Sequence, residues 1–219
     1  MKKKLIIFGN HDTAELAHYY FKNDSDYVVE AFTADDKYVN KDTFDSLPLI
    51  PFSMISKEYP PSKFHFFVAL TARNMNKNRE QKYQKAKNLG YKVVSYISSK
   101  ATYWPGTNFG ENCFILEDNT IQPFVKLGNN ITLWSGNHIG HHSIIDDHVF
   151  FTSHVVLSGH CKVESYSYFG VNSTIRDATK IAKGSFIAMG ANVVKNTEKW
   201  SVNIGNPSKK IAKKSFDLY

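Results

Sequence analysis

The chain has 219 residues, of which 42% are apolar and 21% charged, and its formal net charge is +7. This composition predicts a globular, soluble protein with room for two small domains. The apolar run Leu5–Phe8, which follows three lysines, is too short for a signal peptide and far too short for a membrane span. We therefore expect a cytoplasmic protein without membrane insertion.

The positive charge suits a polyanionic ligand such as a nucleotide or coenzyme A, and it would also suit nucleic acid. The lysines are scattered, apart from a modest cluster within residues 209–214, and the sequence contains no nucleic-acid-binding motif. We therefore expect no nucleic acid partner and interpret most of the lysines as a solvated basic surface.

Residues 1–98 alternate short apolar runs with stretches of helical spacing, which predicts a Rossmann-like α/β domain with a parallel sheet. A cap at Asp12 or Thr13 is expected to start the first helix. The expected strands are Lys4–Phe8, Tyr27–Phe32, Leu47–Ile50, His65–Leu70 and Tyr91–Ile97, and the expected helices are Thr13–Phe21 and Asn74–Leu89.

Residues 99–206 form the second predicted domain, in which a strict six-residue period runs from Phe109 to Val193. This period matches neither the two-residue period of a strand nor the 3.6-residue period of a helix. Such a repeat predicts a left-handed parallel β-helix with one short strand per hexad. Three hexads make one triangular coil of eighteen residues. The apolar anchors are Phe109, Ile115, Ile121, Leu127, Leu133, Ile139, Ile145, Phe151, Leu157, Val163, Phe169, Ile175, Ile181, Ile187 and Val193.

The rest of each hexad agrees with this prediction. A mostly small residue stands four places after the anchor and should also point inward, with Asn119, Ile131 and Asn137 as larger exceptions. Cys113 and Cys161 occupy this inward position, which predicts buried thiols and no disulfide. Glycine or alanine often follows the anchor, and we attribute the glycine to conformational freedom at a corner. The basic tail, residues 207–219, is expected to be helical.

The loop after the first strand is a candidate nucleotide site. Gly9, Asn10 and His11 lie between a strand and a helix, where backbone N–H groups and the positive helix end favour phosphate. Asp35 and Asp36 follow the second strand, where a Rossmann domain places an acidic residue on a sugar or base hydroxyl. The loop lacks the full G-x-G-x-x-G pattern, and ordinary turn residues would explain both aspartates equally well.

The histidine-rich segment is a candidate catalytic site. His141 is expected at a corner of the prism, and the equivalent residue one coil later is Gly159, which has no side chain. An imidazole with room beside it can accept a proton at neutral pH. His142 and His160 are eighteen residues apart and should stack.

Metal binding is the alternative for the histidines. His148, His154 and His160 are six apart and should face three directions, so within one chain they cannot share an ion; sites between subunits stay open. Ordinary surface histidines would explain His138, His148 and His154. We therefore expect no metal.

The end of the prism is a candidate cofactor site. The segment Ile187–Ala191 contains Met189, Gly190 and Ala191, and the closing turn contains Pro207 and Lys209. Cations here could reach the phosphates of coenzyme A, whereas an ordinary turn with a basic tail would explain the same residues.

These features together resemble the bacterial hexapeptide sugar acyltransferases of the PglD/NeuD type over nearly the whole chain. Ile139–Ser143 looks like the family's catalytic histidine motif, and Gly205–Lys209 looks like its G-x-P-[AS]-K ending. The nearest group is the acetyl-CoA-dependent N-acetyltransferases of nucleotide-linked 4-amino-4,6-dideoxy sugars, of the perosamine and viosamine type. In that group the residue after the catalytic histidine is often acidic, whereas this chain has His142.

The resemblance implies a homotrimer with active sites between subunits, acting in the synthesis of cell-surface polysaccharide such as O-antigen and lipopolysaccharide. It implies catalysis by His141 with His142, and substrate contacts from Gly9, Asn10, His11, Asp35, Asp36 and Asn137. It implies coenzyme A contacts from Gly159, Met189, Gly190, Ala191, Pro207 and Lys209. The alternatives are a sugar O-acetyltransferase, such as one for sialic acid, and a non-catalytic or metal-binding β-helix trimer.

Overall fold

The computed structural model describes residues 2–218, which form two compact units. The first unit contains the chain up to Thr71 together with Arg79–Tyr96, and the second contains Ala72–Asn78 together with the chain from Ile97 onwards. Within the described residues, every helix is too short and too polar to cross a membrane.

The first unit is built on a six-stranded sheet in the order β3-β4-β2-β1-β5-β6. All neighbouring strands are parallel except β3 and β4. The apolar run of β1 is buried on both faces, as expected for a central parallel strand. The strands are β1 (Lys3–Phe8), β2 (Tyr27–Ala34), β3 (Thr43–Phe44), β4 (Leu47–Pro51), β5 (His65–Val68) and β6 (Lys92–Val93), and the helices are α1 (Asp12–Asn23), α2 (Ile55–Glu58) and α3 (Lys77–Asn88).

Two expected helix starts differ in the structure. The cap of α1 is His11, with no side-chain hydrogen bond, so Asp12 is already helical. Helix α3 begins at Lys77 rather than at Asn74, because Asn74, Met75 and Asn76 all have positive φ and so form a left-handed turn. The expected strand Tyr91–Ile97 is also divided, and only its first part, β6, joins this sheet.

The second unit contains the prism, a parallel β-helix of two-residue strands that runs from Ile97 to Val193. From β8 to β19, each strand pairs in parallel with the strand eighteen residues later, as Ile121 with Ile139 and Ile139 with Leu157. This register confirms the coil length predicted from the hexads and is consistent with the left-handed form. The strands are β7 (Tyr96–Ile97), β8 (Thr102–Tyr103), β9 (Phe114–Ile115), β10 (Thr120–Ile121), β11 (Lys126–Leu127), β12 (Thr132–Leu133), β13 (His138–Ile139), β14 (Ile144–Ile145), β15 (Phe150–Phe151), β16 (Val156–Leu157), β17 (Lys162–Val163), β18 (Tyr168–Phe169), β19 (Thr174–Ile175), β20 (Lys180–Ile181), β21 (Phe186–Ile187) and β22 (Asn192–Val193).

The interior of the prism is filled as the hexads predict. The anchors from Ile115 to Val193 are buried, and so are the inward small residues, Cys113 and Cys161 among them as free thiols. Phe151 and Phe169 stack with ring centroids 4.1 Å apart. Burial of one large and one small side chain per hexad therefore supplies the hydrophobic stabilisation of the coils.

The prediction that the glycines after the anchors supply conformational freedom at a corner is wrong. Every sixth residue from Asn112 to Gly190 has positive φ, and this is the fourth residue of the hexad rather than the second. The second-position glycines are needed for space, because a Cβ on Gly110 would overlap the Gly128 carbonyl and one on Gly140 would overlap the Ser158 backbone.

Most of the tail is a strand rather than the expected helix, and only Ser215–Asp217 forms a short 3₁₀ helix. Strand β24 (Lys209–Lys214) pairs antiparallel with β23 (Ser201–Ile204) and extends one face of the prism. The last coil would otherwise leave an unpaired edge, and a segment this short gains little from forming an isolated helix. The lysines of β24 are exposed along the new edge.

Candidate active site

His141 is held at a corner of the prism directly after β13. Its backbone N–H donates to Oε1 of Gln122 at 2.9 Å, and its carbonyl accepts from the N–H of His160 at 2.9 Å. These two bonds tie the residue to the coils on either side. The side chain is exposed and therefore open to a substrate.

Gly159 supplies the space beside the His141 ring, as the sequence predicts. A Cβ at this position would lie 2.8 Å from Cε1 and 2.9 Å from Nε2 of the imidazole. The Gly159 carbonyl accepts from the Ala178 N–H, whereas the Gly159 N–H makes no hydrogen bond to the part of the chain that the structure describes. A ring nitrogen and an available backbone donor thus occur at one place.

The Nδ1 atom of His141 faces another imidazole instead of a carboxylate. It lies 3.1 Å from Nδ1 of His142, so one of the two nitrogens carries the shared proton. His142 in turn stacks on His160, with centroids 4.9 Å apart and an angle of 15° between the rings, as expected. Phe124 packs on the other face of His142 at 4.6 Å. We call Phe124, His142 and His160 the open column.

The remaining prism histidines do not converge on one point. His148 is buried, and its Nδ1 pairs with Nδ2 of Asn130 at 2.9 Å, whereas His154 is exposed at a different corner. Both have positive φ, the conformation in which histidine is enriched among residues other than glycine. The backbone of the fourth hexad position therefore explains why histidine recurs here.

Asn137 does not occupy the substrate position expected of it. Its side chain is 1% exposed, donates to Oδ1 of Asn119 and accepts from the N–H of Val155. The residue stands at an inward position of its hexad, and an amide buried there must satisfy its hydrogen bonds within the prism. Its role in this chain is structural.

The loop after β1 lines a cleft of about 380 Å³ in the first unit. Asn10 and His11 line it together with Lys37 and Tyr38, and the Asn10 amide donates to the Tyr38 carbonyl at 2.9 Å. Gly9 has a φ of +140°, and a Cβ there would lie 2.8 Å from the Ala69 carbonyl oxygen. Lys37 could not be predicted as a cleft residue, because its immediate sequence context contains no motif.

Asp35 and Asp36 are engaged by the chain itself. Asp35 forms an ion pair with Lys82 at 2.5 Å. Asp36 accepts from the hydroxyl and the N–H of Ser53, and these hydrogen bonds lower the pKa of its carboxyl. Neither aspartate lines the cleft beside Asn10.

Of the candidate cofactor residues, Gly159 lies beside His141, whereas Met189 and Gly190 lie on another corner of the prism. Met189 is 78% exposed, Gly190 has open space around it, and the Gly190 N–H donates to Val171. The column that contains His141 and Gly159 is a different one, because its coil-to-coil bonds join His141 to His160 and Gly159 to Ala178. Within one chain, the His141 corner and the Met189 corner are therefore separate.

Ala191 differs from the other candidate cofactor residues. Its side chain points into the prism, its N–H donates to Ala188, and its carbonyl accepts from Thr174. Both backbone groups of Ala191 therefore make hydrogen bonds within the prism, and its N–H is not available to donate to coenzyme A. Pro207 and Lys209 are exposed.

No protein-family model matches the chain. A curated relative from Sinorhizobium fredii, the acyl-[acyl-carrier-protein]–UDP-N-acetylglucosamine O-acyltransferase, is 27% identical over 105 residues, which cover 45% of this chain. The match spans 39% of that relative's length.

Solved structures match over almost the whole chain. The acetyltransferase domain of PglB from Neisseria gonorrhoeae, in complex with acetyl coenzyme A, has a TM-score of 0.85 at 20% identity, covering 96% of this chain and 100% of that one. A histidine variant of perosamine N-acetyltransferase from Caulobacter crescentus, in complex with CoA and GDP-perosamine, has a TM-score of 0.85 at 17% identity, covering 96% and 97%. The chain thus has the fold of the hexapeptide-repeat sugar acyltransferases, and the resemblance inferred from its sequence is confirmed at that level.

Proposed function

We propose that the chain is an acyltransferase that moves the acetyl group of acetyl-CoA to the 4-amino group of a nucleotide-linked 4-amino-4,6-dideoxy sugar. The observation that carries the proposal is the His141 ring beside Gly159, with its Nε2 in the space that a side chain would fill. The fold shared with the PglB domain and with perosamine N-acetyltransferase supports the choice of reaction.

In the proposed reaction, His141 accepts the proton of the sugar amine while the amine nitrogen attacks the thioester carbonyl. The carbon–sulfur bond then breaks, and His141 gives the proton to the sulfur, so that coenzyme A leaves as the thiol. The available Gly159 N–H is suited to hold the oxyanion that forms on the carbonyl. General base catalysis of this kind contributes about 10²–10⁴-fold, and positioning of the two substrates must supply much of the rest.

In this reaction, His142 fixes the tautomer of His141. His141 can accept a proton at Nε2 only if its own proton is on Nδ1, and that proton then points to Nδ1 of His142, 3.1 Å away. His142 must therefore be neutral and protonated on its far nitrogen.

The substrates would meet between copies of the chain. The His141 corner and the Met189 corner lie apart in one prism, so a pantetheine arm that uses Met189, Gly190 and Lys209 has to reach His141 of a neighbouring copy. A homotrimer with three such sites fits this requirement. We also propose that the first unit is Rossmann-like and holds the nucleotide in the cleft beside Asn10 and His11, where Lys37 faces the phosphates.

Two further features complete the proposal. The exposed lysine edge of β24, which includes Lys209, suits the phosphates of coenzyme A. The product would serve cell-surface polysaccharide synthesis in the cytoplasm, since nucleotide-linked sugars are the activated donors for such assembly. No metal ion takes part in the proposed reaction.

O-Acetylation of a sugar hydroxyl is the second candidate. It is favoured by the curated relative from Sinorhizobium fredii, whose name specifies an O-acyltransferase. A hydroxyl depends more on the base than a free amine does, because it remains protonated at neutral pH. The two candidates therefore differ in acceptor rather than in site.

A thiol-release assay tests the proposal. The purified chain is mixed with acetyl-CoA and a panel of UDP-, dTDP- and GDP-linked 4-amino-4,6-dideoxy sugars. We expect rapid release of free thiol with one member, and mass spectrometry should locate the acetyl group on its nitrogen. Saturable coenzyme A binding without release would favour a hydroxyl acceptor, and failure to bind coenzyme A would overturn the acyltransferase assignment.

A further inference from the structure

We infer that His141, His142 and His160 form a site for a divalent transition metal ion of the Zn²⁺ class, which competes with the use of His141 as a base. Each of the three offers a ring nitrogen, and these nitrogens all lie within 4.8 Å of one another. All three side chains are exposed, so an ion can enter from solvent.

The register of the prism produces this cluster. His142 and His160 occupy the same place in successive coils, both with a φ of +58°, and their rings stack. His141 precedes His142, and its ring stands at 89° to both of the others. Three donors are thus held on one exposed corner by a backbone that the coil hydrogen bonds fix.

The donor set selects the kind of ion. Neutral imidazole suits Zn²⁺, Cu²⁺ and Ni²⁺, whereas Mg²⁺ and Ca²⁺ prefer oxygen ligands. With Zn–N bonds of about 2.0–2.1 Å, tetrahedral nitrogens are roughly 3.4 Å apart, so no pair has to close by more than about 1.4 Å. Exposed rings can do this by rotating about their side-chain bonds. The fourth position is left for water.

Binding would have a direct consequence for the proposed reaction. A nitrogen lone pair of His141 that is donated to the ion is no longer available to a proton, and the ion fills space beside Gly159. This consequence, unlike the binding itself, rests on the proposed function. Zn²⁺ should then inhibit acetyl transfer reversibly, and a chelator should restore it.

The binding test uses the full chain at about pH 7.5, with Zn²⁺ titrated in competition with a chromogenic chelator. We expect one ion per chain, and we expect His160→Asn to weaken it by about tenfold or more, since loss of even an outer-shell partner costs that much. His154→Asn is the matched control, because His154 is also exposed and also has a φ of +58°. Asparagine accepts this backbone conformation, so both variants should fold.

Two further readouts decide the proposal. Co²⁺ in place of Zn²⁺ should give the intense visible absorption of a four-coordinate site in the wild type and in His154→Asn, but not in His160→Asn. Equal Zn²⁺ affinity in all three proteins, or none in the wild type at micromolar metal, would overturn the site. If no substrate supports acetyl transfer, the proposed function fails, but the binding and Co²⁺ results still decide the metal site.

Discussion

Two corners of the prism carry similar residues with opposite surroundings. The open column has Phe124, His142 and His160 exposed, whereas the equivalent covered column has Asn130, His148 and Tyr166. His142 and His148 share nearly the same backbone, with φ of +58° and +62°. His148 is 8% exposed and pairs with Asn130, and Tyr166 stacks on it at 5.3 Å.

This contrast shows that a histidine in the prism is not in itself a sign of chemistry. The left-handed backbone of the fourth hexad position favours asparagine and histidine wherever it occurs. What distinguishes the open corner is the residue before that position, His141, together with the missing side chain of Gly159 in the next coil.

Among variants that keep the His141 side chain, the largest effect is expected from Gly159→Ala. The added Cβ would lie 2.8 Å from Cε1 of His141 and must push the ring away, while the backbone needs no special conformation there. Because small misplacements of a catalytic group cost much, we expect turnover to fall by about 10²-fold in steady-state thiol release. In a His141→Asn background the same substitution should cost little, and equal losses in both backgrounds would show that Gly159 acts through something other than the ring.

A smaller effect, on stability, should distinguish the two roles of glycine. Gly110→Ala would force a Cβ into the Gly128 carbonyl, and such overpacking costs about 1–3 kcal/mol. Gly106→Ala meets no atom within 4 Å but has a φ of +87°, so only its conformation opposes the change. We expect Gly110→Ala to lower the free energy of unfolding more than Gly106→Ala does. The reverse order would mean that backbone conformation limits these positions more than space does.

All three tryptophans, Trp104, Trp134 and Trp200, belong to the second unit, so their fluorescence follows the unfolding of the prism.

The same fluorescence signal measures how much the covered column contributes to the free energy of unfolding. His148→Asn shortens a side chain that pairs with Asn130, and loss of that bond should cost about 1 kcal/mol. His154→Asn, at an exposed corner, should cost less. Turnover should be kept in both variants, and loss of turnover in His148→Asn would mean that the covered column contributes to catalysis.

The smallest effect concerns the first unit. Burial lowers the pKa of His65, and the nearby charges of Lys3 and Lys92 lower it further. The unfolded chain therefore binds a proton more readily than the folded one, so this contribution to stability is complete above about pH 6.5 and is lost as the pH falls below it. We expect His65→Gln to reduce the loss of stability between about pH 7.5 and pH 5.5.

Far-ultraviolet ellipticity is the signal for this comparison, because the helices belong almost entirely to the first unit. Chemical denaturation of the wild type and of His65→Gln at both pH values gives the two slopes. Identical slopes would mean that the burial of His65 has no influence on its protonation in the folded state.

The sequence predicted most of what the coil repeat controls. The anchors, the inward small residues, the stacking of His142 on His160 and the space beside His141 follow from a period of eighteen, which fixes each neighbour without any other information. The period does not predict why glycine follows an anchor, because that depends on how closely the backbone of the next coil approaches the glycine.

Other features depend on tertiary contacts that leave no local pattern. The tail becomes strand β24 because the prism offers an edge, and nothing within Lys209–Lys214 itself indicates that edge. Lys37 reaches the cleft through the turn after β2. Asn137 was assigned to the substrate through a motif, although its hexad position already places it among the inward residues.

Thiol release by three proteins side by side decides whether His141 is the base: the wild type, His141→Asn and His154→Asn, each with acetyl-CoA and the accepted nucleotide sugar. We expect His141→Asn to lose about 10²–10⁴-fold in turnover while coenzyme A still binds, and His154→Asn to match the wild type. Turnover by His141→Asn within threefold of the wild type would mean that the open corner does not supply the base.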